Sequence, residues 1–321
     1  MTVLVLTRPD MDATADLVIA ELTDRGVPVH RADPGDLPES AEFSARLGAG
    51  EMDWSGTWRG RHRGLRLGDV SGVYYRRPSS FALHPELSDA DARWAFDEAR
   101  AGFGGVLASL RCTWVNPPHN NAVADCPPVA LAAAQRSGLQ VPRTLITNRA
   151  DDARAFILSQ PQQAAAYKPL GAAGPSGAGG EPVAVWTSKV SADEITDGVA
   201  RTAHLFQEWI DKEYEVRLTA VGSEMFAAEI HAGSPASRID FRRDYDSLTY
   251  RVRSVPGHIA CGVRSLMDAL GLRYVALDFL VGQGTGDWYL IDVNPGGQFG
   301  FVPELRAPIT QALADVLEGK Q

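Results

Sequence analysis

The stretch YVALDFLVGQGTGDWYLIDVNPGG, residues 274–297, decides how the C-terminal part of the chain folds. Two apolar runs flank the turn sequence QGTG, a pattern that predicts an antiparallel β-hairpin. A turn centred on Thr285 pairs residues that are equally distant from it, so Asp278 is expected directly opposite Asp292. Asn294 projects from the same face as Asp292, because side chains alternate along a strand.

Two carboxylates that face each other in an apolar hairpin are costly unless a positive charge lies between them. Two Asp and one Asn form an all-oxygen ligand set, which suits Mg²⁺ that takes its remaining ligands from water and phosphates. Asp278, Asp292 and Asn294 therefore form a candidate metal site. The alternative left open is that one Asp points to water at a β-bulge.

The composition describes an ordinary globular chain. It has 321 residues, 45% hydrophobic and 22% charged, and a net charge of −9, which suggests about two domains and disfavours a protein that coats nucleic acid or anionic lipid. Cys112, Cys126 and Cys261 lack a metal-like spacing, which favours the reducing cytoplasm. No apolar run approaches the roughly 18 residues that cross a bilayer. We expect a cytoplasmic protein without nucleic-acid or membrane partners.

The N-terminal third predicts a parallel α/β unit. It reads as a strand (residues 3–6), a helix (14–25) and a strand (27–31), and the first turn lacks the glycines of a dinucleotide site. A further strand covers residues 72–78. Ser88 and Asp91 form a capping box that predicts a helix to about Leu110. Its expected buried stripe comprises Trp94, Phe103, Val106, Leu107 and Leu110.

Five arginines of this region have two interpretations. Arg59, Arg61 and Arg63 share one face of an extended segment, and Arg76 and Arg77 end the strand GVYYRR. They form either a solvated edge hairpin or a cationic wall for an acidic substrate.

Turn-rich residues 115–121 (VNPPHNN) predict a linker and the first domain boundary. Beyond it we expect helices at 128–137 and 152–159, a strand at 141–147, and a helix from the Ser191–Glu194 capping box to about His204. Helices at 257–270 and 308–318 flank the hairpin. The predicted domains are 1–120, 121–205 and 206–321.

Lys168 ends the strand AAAYK, directly before the glycine-rich stretch LGAAGPSGAGG. Glycines let backbone N–H groups approach a phosphate, and the lysine adds a charge; a flexible connector is the alternative. In HLFQEWIDKEYEVRLTAVG, Glu215 is a candidate acceptor for ribose hydroxyls. Backbone groups at residues 208–210 are candidates for reading an adenine edge.

These features, in this order, resemble the ATP-grasp superfamily. More closely, VNPPHNN, YKPLG, FQEWI, EVRLTAVG, LDFL, IDVNPGGQFGF and YYRRP resemble the ATP-grasp maturases of ribosomally made peptides, the graspetide or microviridin-type macrocyclases of the actinobacterial-type branch. The resemblance covers essentially the whole chain. It implies a mixed α/β and α+β architecture, in which an N-terminal α/β domain precedes central and C-terminal domains that sandwich ATP.

The resemblance also implies the reaction. An Asp or Glu side chain of a precursor peptide would be phosphorylated by ATP, and a Ser, Thr or Lys side chain of the same peptide would close an ester or amide ring. The expected partners are this peptide, with a leader and an acidic, hydroxyl-rich core, and, as an open alternative, a second copy of the chain. The residues implied are Lys168 with the lid residues Gly171, Gly174, Ser176 and Gly177 for phosphates, Glu208, Trp209 and Ile210 for adenine, Glu215 for ribose, Asp278, Asp292 and Asn294 for Mg²⁺, Arg217 and Arg242 for the γ-phosphate and acyl phosphate, and Arg76 and Arg77 for the peptide.

One position differs from the family pattern. Pro127 stands where relatives carry a second phosphate-binding lysine. Either another cation replaces it, such as Arg143 or one from the first domain, or the enzyme is slow or dependent on its partner. Two other functions stay open: an intermolecular amino-acid ligase of the glutamate-tailing type, and a nucleotide-binding partner protein with little turnover.

Overall fold

The computed structural model describes residues 1–8, 10, 12–48, 52–61, 63–171 and 185–320. The described strands form four sheets, of four, four, five and three strands. Gly174, Ser176 and Gly177 of the predicted lid lie outside the described residues.

The N-terminal part is an α/β unit, as predicted. Its main sheet has the order β2-β1-β6-β7 with parallel pairing, and β3, β4 and β5 form a small antiparallel sheet. The elements are β1 (Thr2–Thr7), α1 (Ala13–Asp24), β2 (Val29–Ala32), β3 (Glu42–Arg46), β4 (Ser55–Arg59), β5 (Gly64–Arg66), β6 (Val70–Arg77), α2 (Asp89–Ala99), α3 (Gly105–Ala108) and β7 (Thr113–Val115).

The long helix predicted from Ser88 to Leu110 is divided by a π-helical turn, Arg100–Gly104, between α2 and α3. Ser88 does begin it, and its side chain accepts from the Asp91 amide. Trp94 was wrongly expected in the buried stripe, since it is 67% exposed. Phe103 follows Trp94 by nine positions, which in a regular α-helix is two and a half turns, so the two side chains were not to be expected on one face.

The central part holds an antiparallel sheet of order β10-β9-β11-β8. Its elements are α4 (Pro118–Ala124), α5 (Pro127–Arg136), β8 (Thr144–Thr147), α6 (Ala150–Leu158), β9 (Ala164–Lys168), β10 (Ser188–Ser191) and β11 (His204–Glu208).

Two predictions fail in this part. The expected linker runs into α4, because Pro118 occupies the first turn of a helix, where its missing N–H is not needed. The Ser191–Glu194 capping box exists, but only two short 3-10 helices follow it, Ala192–Glu194 and Asp197–Arg201. Thr196 interrupts them by adopting an extended backbone and accepting from the Gly198 amide.

The C-terminal part is built on an antiparallel sheet of order β14-β13-β12-β15-β16. Its elements are β12 (Lys212–Val221), β13 (Glu224–Ala232), α7 (Pro235–Ile239), β14 (Leu248–Arg253), α8 (Gly257–Leu270), β15 (Tyr274–Gly282), β16 (Trp288–Asn294) and α9 (Pro303–Leu317).

The two faces of this sheet have different neighbours. One face packs against α5 and α8 around Val216, Leu218 and Leu277. On the other face, Val221, Ala228 and Tyr274 share a core with β1, α1 and α9. The helices α4 and α5, which the prediction placed at the start of the central domain, therefore contribute to the C-terminal core. The domain boundaries stay a prediction.

The helix α9 begins at Pro303, five residues before the predicted start, and contains Pro308 in its interior. With 15 residues it is the longest described α-helix, and no helix in the described ranges is long and apolar enough to cross a membrane. Arg25, at the end of α1, forms ion pairs with Asp315 and Glu318 at 2.6 and 2.7 Å. These contacts bind the N-terminal part to the C-terminal helix.

The contact between β6 and α9 generates a prediction. A Cβ atom at Gly72 would lie 2.6 Å from the Leu317 carbonyl oxygen, so Gly72→Ala should lower the free energy of unfolding by about 1–3 kcal/mol. The matched control is Gly68→Ala, where a Cβ would meet nothing within 4 Å. Denaturant unfolding of both variants checks this, and equal stability would contradict the close packing of β6 on α9.

Candidate active site

A cavity of about 730 Å³ lies between the central and C-terminal sheets. Residues from β9 and β11 line one side, residues from β12, β15 and β16 line the other, and Arg242 and Pro127 contribute from adjoining segments. One face of the C-terminal sheet packs on the N-terminal part at one end of its strands. At the other end of the strands, the same face lines the cavity. Distant sequence segments are thereby brought to one site.

A row of charged side chains crosses three neighbouring strands, and two of its members, Asp278 and Asp292, line the cavity. Arg217 on β12 pairs with Asp278 on β15, and Asp278 pairs with Asp292 on β16, as the sequence predicted for the two acids. The Arg217 guanidinium donates to both oxygens of Asp278, at 2.7 and 3.3 Å. Burial raises the pKa of Asp278, and nearby Asp292 adds to the rise while Arg217 opposes it. The arginine thus compensates one of the two carboxylates.

A β-bulge lies next to this row. Asp278 faces Asp292, but Phe279 faces Leu290, which leaves Ile291 as the extra residue. The Lys168 Nζ atom reaches across the cavity from β9 and donates to the Ile291 carbonyl oxygen at 3.4 Å. Desolvation lowers the pKa of Lys168, whereas the charges of Asp292 and Glu215 raise it. Lys168 therefore links the central sheet to the C-terminal sheet.

The predicted metal ligands Asp292 and Asn294 contact each other. The Asn294 amide donates to Asp292 at 3.1 Å, which turns its oxygen away from that carboxylate. Within the described ranges no group of three or more His, Cys, Asp or Glu could hold a metal ion. The candidate ligands are the carboxylates of Asp278 and Asp292 and the amide oxygen of Asn294. This set fits a Mg²⁺ ion whose other ligands are phosphate and water.

Glu215 has a partner that sequence reasoning missed. The Lys212 Nζ atom lies 2.6 Å from the Glu215 carboxylate, and both side chains are buried at the cavity wall. Three residues apart on a regular strand, they would point to opposite faces. A register shift between Lys212 and Tyr214 brings them together. Burial raises the pKa of Glu215, and Lys212 opposes this rise.

The predicted adenine segment, Glu208–Ile210, lines the cavity. The Glu208 amide already donates to the Arg143 carbonyl oxygen at 2.8 Å, so it is not free to read a base. Among the predicted lid residues, Gly171 lies at the cavity wall.

Arg242 also lines the cavity. Its guanidinium donates to both oxygens of Asp240, at 2.8 and 2.7 Å, and lies over the Trp186 ring. Hydrogen bonds from Arg242 hold the pKa of Asp240 below its usual value although burial alone would raise it. Asp240 and Trp186 therefore orient Arg242, and neither was predicted.

Two of three expectations about cations change. Arg76 is buried, 3.4 Å from Asp12, rather than presented to a peptide, and β6 is an inner strand of its sheet rather than part of an edge hairpin. Arg77 is exposed, and its role stays a prediction. Arg143 does not replace the cation missing at Pro127, because it does not line the cavity and pairs with Glu208 at 3.3 Å. The described cavity wall contains Lys168, Lys212 and Arg242 instead.

Comparisons with known proteins concern the fold of the chain. The family model "MvdD pre-ATP grasp domain" matches residues 2–122. The structure of the Chryseobacterium gregarium RiPP-associated ATP-grasp ligase, in complex with ADP and a leader and core peptide, has a TM-score of 0.89 and 25% identity, and the match covers 100% of this chain and 97% of that chain. Macrocyclase MdnC from Microcystis aeruginosa MRC, bound with precursor peptide MdnA, has a TM-score of 0.85 and 26% identity over 99% and 100% of the two chains.

A more distant structure shares the fold. ATP-grasp ligase PsnB, complexed with minimal precursor, Mg and ADP, has a TM-score of 0.74 and 20% identity, with 99% of this chain and 98% of that chain covered. No curated protein matches the chain. The predicted ATP-grasp fold is confirmed over the whole chain, and so is the predicted resemblance to the ATP-grasp ligases of RiPPs.

The Lys212–Glu215 pair generates a prediction. Lys212→Met leaves a buried carboxylate without its partner and should lower the free energy of unfolding by about 3–5 kcal/mol. Lys212→Met combined with Glu215→Gln should regain most of that loss. Guanidinium unfolding at pH 7 checks both variants, and a double variant as unstable as the single one would contradict this pairing.

The missing cation generates another prediction. Pro127→Lys adds a positive charge at the cavity wall and should tighten ATP binding about tenfold, measured by titration calorimetry. Pro128→Lys is the matched control, since its neighbour Pro128 is exposed and lies on a separate surface groove. An unchanged affinity in Pro127→Lys would favour a substitute cation elsewhere in the site, such as Lys212 or Arg242 at the described cavity wall.

Proposed function

We propose that this protein is an ATP-dependent, ADP-forming ligase that closes rings in a ribosomally made precursor peptide. The observation that carries the proposal is the facing pair of sheets, with Lys168 on one and the row Arg217–Asp278–Asp292 with Asn294 on the other. Solved structures that match the whole chain contain ADP or precursor peptides. Cofactors are therefore ATP and Mg²⁺, and the partner is a precursor peptide.

The proposed roles of the side chains follow from their charges. Lys168 holds the phosphates against the C-terminal sheet, Glu215 accepts the ribose hydroxyls, and the backbone of Trp209 and Ile210 contacts adenine. Asp278, Asp292 and Asn294 hold Mg²⁺, which when bound neutralises phosphate charge and orients the γ-phosphoryl group. Arg217 and Arg242 both lie close enough to Asp278 and Asp292 to interact with their charges, and we assign them to the negative charge that develops during transfer.

Two steps follow from this arrangement. A peptide carboxylate oxygen attacks the γ-phosphorus, ADP leaves, and an acyl phosphate forms on the peptide. A hydroxyl or amine of the same peptide then attacks the acyl carbon, phosphate leaves, and an ester or amide ring is closed with the net loss of one water. The protein positions these groups and supplies charge, so none of its side chains has to act as a nucleophile.

The chemistry suits the cytoplasm, where ATP is available. Cys112, Cys126 and Cys261 are all free thiols, as a reducing compartment requires. We therefore retain the cytoplasmic location as part of the proposal.

The deciding experiment is the intact mass of a candidate precursor peptide after incubation with the protein, ATP and Mg²⁺, with ADP release followed in parallel. Loss of one water per ADP supports ring closure. Added amino-acid masses would instead identify an intermolecular ligase. ATP binding with neither mass change nor ADP release would identify a nucleotide-binding partner protein.

The metal assignment generates a prediction in the same assay. Asp292→Asn removes a charged ligand and should lower ADP formation about 100-fold or more while the protein stays folded. Asp287→Asn, an exposed acid of the same hairpin, is the control and should keep wild-type activity. Equal rates for the two variants would disprove the metal assignment.

A further inference from the structure

Four consecutive backbone carbonyls follow the metal ligand Asn294, and each accepts a hydrogen bond from a different side chain. We call residues 295–298 the carbonyl loop. Its donors are Asn116 to Pro295 at 3.2 Å, Arg76 to Gly296, Tyr274 to Gly297 at 2.7 Å, and Arg217 to Gln298 at 3.1 Å. Side chains thus hold the loop along its whole length.

Arg76 joins the carbonyl loop to the N-terminal sheet. Its Nε atom lies 3.4 Å from Asp12, and both side chains are almost fully buried, at 1% and 4% exposure. Asp12 accepts from Thr7 at the end of β1 and caps α1 through the Ala15 amide. Arg76 therefore connects Asp12, and through it β1 and α1, to Gly296, two residues from Asn294.

Arg76 has two partners, the Asp12 carboxylate and the Gly296 carbonyl. Within the described residues, its Nε and Nη2 atoms are buried without a hydrogen-bond partner, so the guanidinium is held there at a desolvation cost. A neutral side chain would avoid that cost but would leave the buried Asp12 without its counter-ion. The arginine provides a charged donor with a fixed direction. Hydrogen bonds from charged donors are roughly twice as strong as those between neutral groups.

The carbonyl loop has little freedom on its other side. A Cβ atom at Gly297 would lie 2.4 Å from the Ala276 Cβ atom, so the loop backbone rests directly on β15. Arg217, which donates to Gln298, also holds Asp278. Arg217 therefore contacts both the carbonyl loop and Asp278, which faces Asp292 on β16.

We propose that Arg76 is a positioning residue for the metal and nucleotide site: by holding the Gly296 carbonyl, it lets the N-terminal domain set the geometry of Asn294 and Asp292. This inference rests on the proposed function, because it concerns the ligands of the proposed Mg²⁺ site. Groups that orient metal ligands from outside typically change metal affinity by about 10–100-fold when removed.

The test measures binding rather than turnover. Mn²⁺ replaces Mg²⁺, and its dissociation constant in the presence of ADP is determined by electron paramagnetic resonance for wild-type protein, Arg76→Gln and Tyr74→Phe. ADP affinity without metal and the unfolding midpoint are measured on the same samples. Tyr74 is the matched control because its buried hydroxyl, close to Arg76, has no partner among the described groups.

We expect Arg76→Gln to weaken Mn²⁺ binding about tenfold or more, with a smaller change in metal-free ADP binding, and Tyr74→Phe to match the wild type. If Arg76→Gln does not fold, Asp12→Asn with Arg76→Gln leaves no unpaired buried charge and takes its place. A folded variant with wild-type Mn²⁺ affinity and only a lower unfolding midpoint would show a structural role alone and overturn the inference.

The controls separate this inference from the proposed function. Wild-type protein that binds neither ADP nor Mn²⁺ would overturn both. Wild-type protein that binds them, alongside variants that bind equally well, would overturn only the role of Arg76.

Discussion

The electrostatic imbalance of one row of side chains governs the site. Arg217, Asp278 and Asp292 stand side by side on three strands, so the row carries one positive and two negative charges. Arg217 compensates Asp278, and the remaining negative charge needs a cation from outside the sheet. Lys168 approaches from the central sheet, and a magnesium ion with its phosphates completes the balance. Asp292 lines the cavity between the sheets, so a cation that balances this charge can bind there.

The same logic explains why nucleotide and metal are expected to bind together. Acidic side chains are concentrated where the metal is proposed to bind, and Asp125 also lines the cavity. Its desolvation and the charge of Asp292 both raise the pKa of Asp125. Phosphates alone would meet these carboxylates, and a metal ion alone would leave Lys168 unused. Each ligand removes the repulsion that the other would meet.

The sequence predicts most of the fold because its strands and caps are local signals. Asp278 and Asp292 face each other as predicted, but the turn alone does not set this pair. The pairs nearest the turn, such as Val281 with Trp288, are one residue out of the predicted register, and the β-bulge at Ile291 restores it. Features that depend on bulges could not be predicted: Lys212 meets Glu215, and Lys168 reaches Ile291, only because the register shifts by one residue. Arg76 was misplaced for another reason, since charge pattern does not reveal whether a strand lies at an edge or inside a sheet.

The shared core of β1, α1 and α9 also has a consequence for biosynthesis. During translation the first domain emerges some 180 residues before α9, whose Leu313 and Val316 cover its apolar face. Until α9 is made, the apolar face that it covers has no partner, and exposed apolar surface of this kind promotes wrong contacts during folding. A chain truncated before α9 would therefore have an open core.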